Sequence, residues 1–150
     1  FATPRRAVVG WDSGRLAMIL AVLEARCGLV LGAVDVFLNV AGGLRISEPA
    51  ADLAVAAALV SAATARPLDA GTVVFGEVGL GGEVRAVARA GARLKEAAKL
   101  GFASAMVPGR RVGAEGRDLT LTEISHLAEL VALVRADTGA APSRRRTERV

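Results

Sequence analysis

Four glycines near the middle of the chain could form a phosphate-binding loop, because such loops point several backbone N–H groups at one anion. They are Gly76, Gly79, Gly81 and Gly82. Their spacing completes neither common pattern. Val84 stands where the dinucleotide fingerprint needs its third glycine, and the glycine-lysine-serine/threonine end of a P-loop occurs nowhere in the sequence. The glycines are therefore predicted to form a tight hairpin turn.

Cysteine and histidine, which often bind metals or take part in catalysis, occur once each. A single cysteine, Cys27, excludes an internal disulfide and a thiolate-rich zinc site, and the lone His126 cannot supply a histidine cluster. We therefore predict no metal site and no cofactor in this chain. Cys27 follows Leu20 and Leu23 at helical spacing, so we expect a buried side chain in a reduced, cytoplasmic setting. His126 is predicted to have a structural role on the last helix rather than a place in a catalytic triad.

The basic residues offer a different chemistry, the binding of phosphate groups. Arginines recur at every fourth position and two lysines follow at the same interval: Arg85, Arg89, Arg93, Lys95 and Lys99. Only Glu83 and Glu96 oppose them locally, and the pattern by itself favours ordinary helix-surface charges. Further arginines are predicted in loops, with Arg45 after a glycine pair and Arg110 and Arg111 after Pro108.

The remaining composition narrows the classes of partner. Aromatic residues make up 3% of the chain and tyrosine is absent, which argues against a stacking platform for single-stranded nucleic acid. The formal net charge is +4, and residues 138–150 carry four arginines against one glutamate. That segment is predicted to be a disordered basic tail, and solvation is favoured over contact with an anionic partner.

The size of the chain indicates one domain with a real hydrophobic core. It has 150 residues and a mean hydropathy of +0.44, yet its uncharged run Leu53–Ala65 is well short of the roughly 20 residues that cross a bilayer. A soluble protein without membrane contacts is predicted. Because the chain starts at Phe1 without a charged and apolar leader, we expect a piece of a longer polypeptide.

Hydrophobic spacing predicts the elements that must position these side chains. The first half should contain a helix capped by Asp12 or Ser13 and ended by Gly28, then a strand, then a nearly all-apolar helix opened by Ser47 and Pro49. The strand is predicted at 34–40, and the second helix is predicted to run from its opening at Ser47 and Pro49 to about Arg66. The last of these helices should be buried on most of its surface.

The second half is predicted to contain more strands. Strands at 72–76 and 84–87 are expected to pair as a hairpin, followed by a helix at 89–100 with Gly101 as its cap and a strand at 103–107. A final helix is predicted to begin at Thr122. The resulting order, α-β-α-β-β-α-β-α, indicates an α/β or α+β domain over residues 1–137, with a mixed sheet packed against helices.

Long segments of the sequence resemble a known family. They are VFLNVAGGLRISEPAADLAVA at residues 36–56, FGEVGLGGEVRAVARAGARLKEAAKLGFASAMVP at 75–108, and the opening VVGWDSGRLAMILAVLEARCG. Together they resemble the Lon-protease-like domain, in the form found at the C-terminus of the RadA (Sms) family of bacterial DNA repair and recombination proteins. The likeness covers nearly all of residues 6–136, and EPAADLA combined with GEVGLGGEVR is its most specific part.

The resemblance implies that the peptidase site of this fold has lost its catalytic residues here. Active members use a serine within G-P-S-A-G and a lysine on a later helix, which serves as general base. The matching frame in this chain is Glu48–Asp52, so the nucleophile position holds Ala50, and the lysine position falls on Gly91. Neither side chain can attack a carbonyl or accept a proton, which excludes the family mechanism.

A shifted dyad of Ser47 and Lys95 is the alternative, and it would make the chain a residual serine peptidase. Lys95 lies one helical turn beyond Gly91, but Ser47 precedes the nucleophile position by enough to displace an attacking oxygen. A misplacement of 1 Å can cost about 100-fold in rate. Ser47 as a helix cap and Lys95 as a solvated charge are therefore favoured.

The resemblance also implies a role. In that family the Lon-like domain builds a hexameric ring and contributes DNA contacts, so arginines that face the ring channel would bind phosphates without reading sequence. The implied DNA-binding residues are Arg45, Arg85, Arg89, Arg93, Arg110 and Arg111. An upstream zinc finger and RecA-like ATPase, which would bind zinc and ATP and drive branch migration, are implied as well. The expected partners are DNA, further copies of the chain, that ATPase and a recombinase.

Overall fold

The computed structural model describes residues 3–109 and 116–136, which form seven short strands and four helices. The strands are β1 (Arg6–Val9), β2 (Val36–Asn39), β3 (Thr72–Val74), β4 (Glu77–Val78), β5 (Val84–Arg85), β6 (Ser104–Pro108) and β7 (Thr120–Ile124). The helices are α1 (Ser13–Cys27), α2 (Asp52–Thr64), α3 (Ala90–Lys99) and α4 (Leu127–Ala136). Two single turns of 3-10 helix, Ala41–Gly43 and Pro49–Ala51, precede α2.

The strands form three small sheets within the described residues. Strands β1 and β2 pair in parallel, and β3, β6 and β7 form a parallel sheet in that order. Strands β4 and β5 pair as an antiparallel hairpin around the glycine-rich turn. This mixture of parallel and antiparallel pairing with four helices confirms a mixed α/β fold class.

The ends of α1 follow the signals in its sequence. The Asp12 side chain accepts a hydrogen bond from the Arg15 backbone N–H at 2.8 Å, which caps the helix start. At the other end Gly28 adopts φ +65°, the left-handed conformation that ends helices at little cost for glycine. Both predicted boundaries of this helix are confirmed.

The hydrophobic core lies on both faces of the β3–β6–β7 sheet. Along β6, Ala105 and Val107 face a smaller cluster that includes Leu94 of α3, whereas Met106 packs against the larger cluster. That larger cluster contains the buried faces of α1, α2 and α4, which pack on one another. Alternating side chains of one strand therefore serve two cores, as expected for a sheet covered on both faces.

Three strands are missing from the predicted element order. The order is β-α-β-α-β-β-β-α-β-β-α in the described residues, because β1, β4 and β7 are present as well. Strands of two to five residues carry little periodicity, and pairing with a distant strand defines them. The β7 segment shows the consequence: Thr122 was predicted to begin the last helix, but Thr120–Ile124 is strand and α4 begins at Leu127.

Two further local predictions are wrong. Residues 72–74 do not pair with residues 84–87; β3 pairs in parallel with β6, and the hairpin joins β4 to β5. Nor does Ser47 cap the apolar helix, because Glu48 is the N-cap residue of the Pro49–Ala51 turn and α2 begins only at Asp52. In each case contacts with residues distant in the sequence outweigh the structural preference of the local sequence.

Within the described residues no helix is long and apolar enough to span a membrane. Arg110, Arg111 and the 138–150 segment lie outside the described residues.

Candidate functional site

The Pro49–Ala51 turn is hydrogen-bonded to Gly76, which lies between β3 and the glycine-rich β4–β5 hairpin. The Gly76 N–H donates to the Ala50 carbonyl at 2.8 Å, and the Leu53 N–H donates to the Gly76 carbonyl at 3.0 Å. A Cβ on Gly76 would lie 2.8 Å from a methyl carbon of Val84, so this close approach requires glycine. Ala50 is 4% exposed and has only a methyl group, so it offers no group for catalysis.

A fully buried carboxylate stands directly after this turn. Asp52 is 0% exposed, and its two oxygens accept a bidentate pair of hydrogen bonds from Arg15, the Nε bond measuring 2.8 Å. The Val78 backbone N–H donates to Asp52 Oδ2 at 3.1 Å. The carboxylate in turn raises the pKa of the Arg15 guanidinium, chiefly through their hydrogen bonds. Asp52 thus ties α1, α2 and β4 together.

A second carboxylate, Glu48, pairs with the helix that carries the other predicted site position. Arg93 of α3 donates from both terminal nitrogens to the two Glu48 oxygens, with the Nη1 to Oε2 distance at 3.4 Å. Its Nε donates to the Ala88 carbonyl at 3.1 Å, and its guanidinium carbon lies 5.9 Å from the centre of the Phe75 ring. The hydrogen bonds from Arg93 lower the pKa of Glu48.

This pairing brings together the two segments that the family resemblance singles out. Glu48 lies two residues before Ala50, and Arg93 lies two residues after Gly91, which sits in the first turn of α3. The ion pair therefore joins the turn before α2 to the start of α3. A serine–lysine dyad needs a hydroxyl and an amine at these two positions. Ala50 has only a methyl group, Gly91 has no side chain, and the charged groups nearby are the paired Glu48 and Arg93.

Arg89 is the exposed basic residue beside that pair. It is the N-cap residue of α3 with φ +60° and ψ +34°, a left-handed conformation that only a few per cent of non-glycine residues adopt. No side-chain hydrogen bond or ion pair of Arg89 is seen among the described residues, and its positive charge contributes to the lowered pKa of Glu48. Arg45 is also exposed and without such a partner in the described part of the chain.

Arg85 lies on the hairpin and is paired with two carboxylates. Its Nη2 donates to Glu83 at 2.8 Å, and its Nη1 lies 3.8 Å from Glu77. The pKa of Glu83 is lowered, first by a bond from its own backbone N–H and then by Arg85. The structure therefore places Arg89 and Arg93 one turn apart at the start of α3. Arg45 lies in the loop between the two 3-10 turns, and the charge of Arg85 is neutralised by Glu83 and Glu77.

The single histidine has a structural role, as predicted. His126 Nδ1 accepts from the Ala128 backbone N–H at 3.0 Å and so caps α4, which assigns the proton to Nε2. That nitrogen donates to the Gly81 carbonyl at 2.9 Å. Gly82 has φ +87°, and a Cβ there would lie 2.6 Å from the imidazole ring. The glycine-rich segment is therefore a turn that contacts the start of α4.

Neither the shifted dyad nor a metal-binding cluster is assembled in the described residues. Ser47 and Lys95 are both exposed, and no hydrogen bond joins them. In the same residues no three His, Cys, Asp or Glu side chains are grouped as a metal ion requires. Cys27 is half-buried against the main core, and burial raises the pKa of its thiol.

Comparison with protein families identifies the chain. Residues 15–111 match the family model described as the ChlI subunit of Mg-chelatase, which is more than half of the sequence. The chain belongs to this family. The ChlI match includes α1 from Arg15 onward, the Pro49–Ala51 turn, α2, the hairpin and α3, which carry Arg15, Asp52, Glu48 and Arg93 or lie directly beside them.

Similar curated proteins carry a common name. The chain is 61% identical over 135 residues to the DNA repair protein RadA of Brucella abortus, covering 89% of this chain and 29% of that protein. It is 48% identical over 136 residues to the DNA repair protein RadA of Rickettsia felis, with the same coverage, 89% and 29%. For the protein of that name from Aquifex aeolicus the identity is 44% over 134 residues, covering 89% and 30%.

These relatives confirm the similarity to the RadA family that the sequence motifs indicated. The chain spans about three tenths of the length of these relatives.

The residue types of Arg15, Asp52 and Phe75 did not mark them as site residues in the sequence. One signal could have found Asp52: a lone carboxylate that opens a nearly all-apolar helix needs a buried partner.

Proposed function

We propose that this chain is one domain of a longer DNA repair protein, in which it serves as a non-catalytic scaffold and a sequence-independent DNA-binding surface. The observation that carries the proposal is its 61% identity, over 89% of its length, to a DNA repair protein. The role in repair is thus transferred from relatives that extend well beyond this chain.

The absence of a reactive group at the two implied catalytic positions supports a non-catalytic role. Ala50 is buried and Gly91 has no side chain, while the flanking Glu48 and Asp52 are both engaged by arginines. A peptidase needs a nucleophile and a base in contact. In this proposal the domain is a relative of peptidases that retains their fold but has lost their catalytic activity.

The basic residues supply the proposed DNA contacts. Arg89 and Arg45 are exposed and unpaired among the described residues, and Arg110 and Arg111 follow β6 in the sequence. Arginine binds phosphate oxygens well because its planar guanidinium presents several donors at once. Contacts of this kind fix a protein on the phosphate backbone and carry no base information.

The remaining parts of the proposal rest on the resemblance to the RadA family. They are a hexameric ring of this domain, an upstream RecA-like ATPase that binds ATP, an upstream zinc finger, a recombinase partner and a cytoplasmic location. In this arrangement the present domain orders the ring and the ATPase supplies the work of branch migration.

Salt dependence of DNA binding tests the DNA-binding part. If the four arginines at positions 45, 89, 110 and 111 neutralise about four phosphates, log K for duplex DNA should fall with log salt at a slope near −3.6. Arg89→Ala should flatten that slope by about 0.9 and should leave discrimination between duplex sequences unchanged. Fluorescence anisotropy with two labelled duplexes of unrelated sequence measures both quantities.

Two control variants separate the folded surface from other sources of charge. Arg26→Ala removes an exposed arginine at the end of α1 that is outside the proposed surface, and the slope should stay as in the parent. Deletion of residues 138–150 removes the basic tail. If that deletion abolishes binding while Arg89→Ala binds like the parent, the folded domain contributes no phosphate contact and this part of the proposal is wrong.

A further inference from the structure

The guanidinium of Arg93, one helical turn beyond the exposed Arg89, is engaged on several sides at once. Two of its nitrogens donate to Glu48, a third donates to Ala88, and the Phe75 ring lies 5.9 Å from its central carbon. Its side chain is only 28% exposed. In this arrangement the edge of the guanidinium that would receive a phosphate is already occupied by a carboxylate.

Glu48, in contrast, is held weakly. Its side chain is 55% exposed, and Arg93 is its only hydrogen-bonding or ion-pairing partner among the described residues. Water can solvate a carboxylate that is this exposed, so separating it from the guanidinium costs far less than breaking a buried ion pair. The Glu48 side chain can therefore leave Arg93 without unfolding the turn that carries it.

A carboxylate and a phosphodiester present the same feature to a guanidinium, two anionic oxygens that accept parallel hydrogen bonds. Arg89 lies near enough to Glu48 to lower the pKa of that carboxyl group, so an anion in the Glu48 position is attracted by two positive side chains. A DNA phosphate arriving at this position would bind Arg93 and would be attracted by the charge of Arg89, provided that Glu48 had moved aside.

From these contacts we infer that Glu48 is an autoinhibitory latch: its carboxylate occupies the phosphate-binding edge of Arg93 and must be displaced before Arg93 can contact DNA. The inference rests on the proposed DNA-binding function and adds a regulatory residue to that surface. It predicts that Arg93 contributes little to binding while Glu48 is present, although its charge and position suit the task.

A double-mutant cycle on the full 150-residue chain tests the latch, with a labelled 30-base-pair duplex as the probe. Glu48→Gln keeps the shape of the side chain and removes its charge, which should add about one phosphate contact. The slope of log K against log salt should then steepen by about 0.9, which corresponds to about eightfold tighter binding at 0.1 M salt. Arg93→Gln in the parent should change affinity by less than about twofold, whereas Arg93→Gln in the Glu48→Gln background should abolish the gain.

Glu96→Gln is the matched control, because it removes the same charge from an exposed position of α3 that makes no ion pair in the described structure. It should leave the slope unchanged. If Glu48→Gln behaves like Glu96→Gln while Arg89→Ala still weakens binding, the latch is wrong and the proposed surface stands. If neither the parent nor Glu48→Gln binds DNA, both the surface and the latch are overturned. Binding by Glu48→Gln but not by the parent would be the strongest support for the latch.

Discussion

The arginine–carboxylate pairs of this chain differ strongly in how far the carboxylate is buried, and this burial decides whether a pair holds the structure together or can be separated. The Arg15–Asp52 pair has a fully buried carboxylate, whereas Glu48 and Glu83 are about half exposed beside Arg93 and Arg85. A buried charge that loses its partner cannot be rescued by water, and an exposed one can. The same chemical pair is therefore structural in one place and displaceable in another.

Replacement of Arg15 by methionine should destabilise the chain strongly. Among the described residues, the variant leaves the buried Asp52 carboxylate with only the Val78 N–H as a donor, and breaking a buried pair in this way costs about 3 kcal/mol. Arg85→Met, which leaves Glu83 and Glu77 partly exposed to water, should cost less than about 1 kcal/mol. Urea denaturation of both variants measures the difference. Equal losses of stability would show that the Asp52 pair has no special structural role.

At the scale of elements, the turn before α2 and the start of α3 decide what the implied catalytic positions can do. The turn is fixed by backbone hydrogen bonds to Gly76 and by the Asp52 contacts that follow it, and α3 is joined to it through Arg93. As a result, two arginine-paired carboxylates, Glu48 and Asp52, flank Ala50.

We expect Ala50→Ser combined with Gly91→Lys to have no peptidase activity, or only a trace. The two replaced side chains would be a serine and a lysine, but Glu48 and Asp52 add carboxylates where active members have small residues, and oxyanion stabilisation needs donors instead. Casein degradation by the double variant measures this, with Ser47→Ala of the parent as a control for the shifted dyad. Rapid turnover sensitive to serine-protease inhibitors would contradict the argument, and loss of a parental activity in Ser47→Ala would favour the Ser47 and Lys95 dyad.

At the scale of the whole molecule, the described surface leaves large apolar side chains uncovered. Phe37 and Val9, on neighbouring strands of the β1–β2 sheet, are 67% and 62% exposed. Other exposed apolar residues are Val30, Leu44, Leu80 and Leu100. Monomeric proteins rarely expose extended apolar patches, and such patches are typical of surfaces that bind other proteins. The exposed pair on the β1–β2 sheet is therefore the candidate contact surface for the assembly that the family resemblance implies.

Multi-angle light scattering of the purified chain should therefore give a mass close to six times 15.3 kDa. Because oligomers dissociate by mass action, the mass should fall on dilution and the apparent melting temperature should fall with it. A mass of 15.3 kDa at every concentration would contradict a ring built by this domain alone.

Much of the local structure could be predicted from the sequence, because local rules act over a few residues. The Asp12 cap and Gly28 stop of α1 are properties of adjacent side chains and of glycine's access to positive φ. The helical spacing of Leu20 and Leu23 predicted part of its buried face, whereas Cys27 at the end of the same spacing is only half-buried. A structural role for His126 is confirmed, but the residue lies just before α4 and caps it, rather than on that helix as the sequence predicted. The motifs at residues 36–56 and 75–108 likewise indicated the RadA relatives.

The tertiary structure alone decided the pairings between residues far apart in the chain. Strand β3 pairs with β6, about thirty residues away, rather than with the nearer segment 84–87, because covering both faces of a parallel sheet buries more apolar surface than a short hairpin does. Asp52 pairs with Arg15, and Glu48 pairs with Arg93, although the partners are far apart in the sequence. Hydrophobic periodicity relates only residues that are close in the sequence, so it does not predict these pairs. The sequence could show that arginines and glutamates were present in this region. Which of them are free to meet a phosphate depends on the fold, because a carboxylate that reaches the guanidinium first removes it from the binding surface.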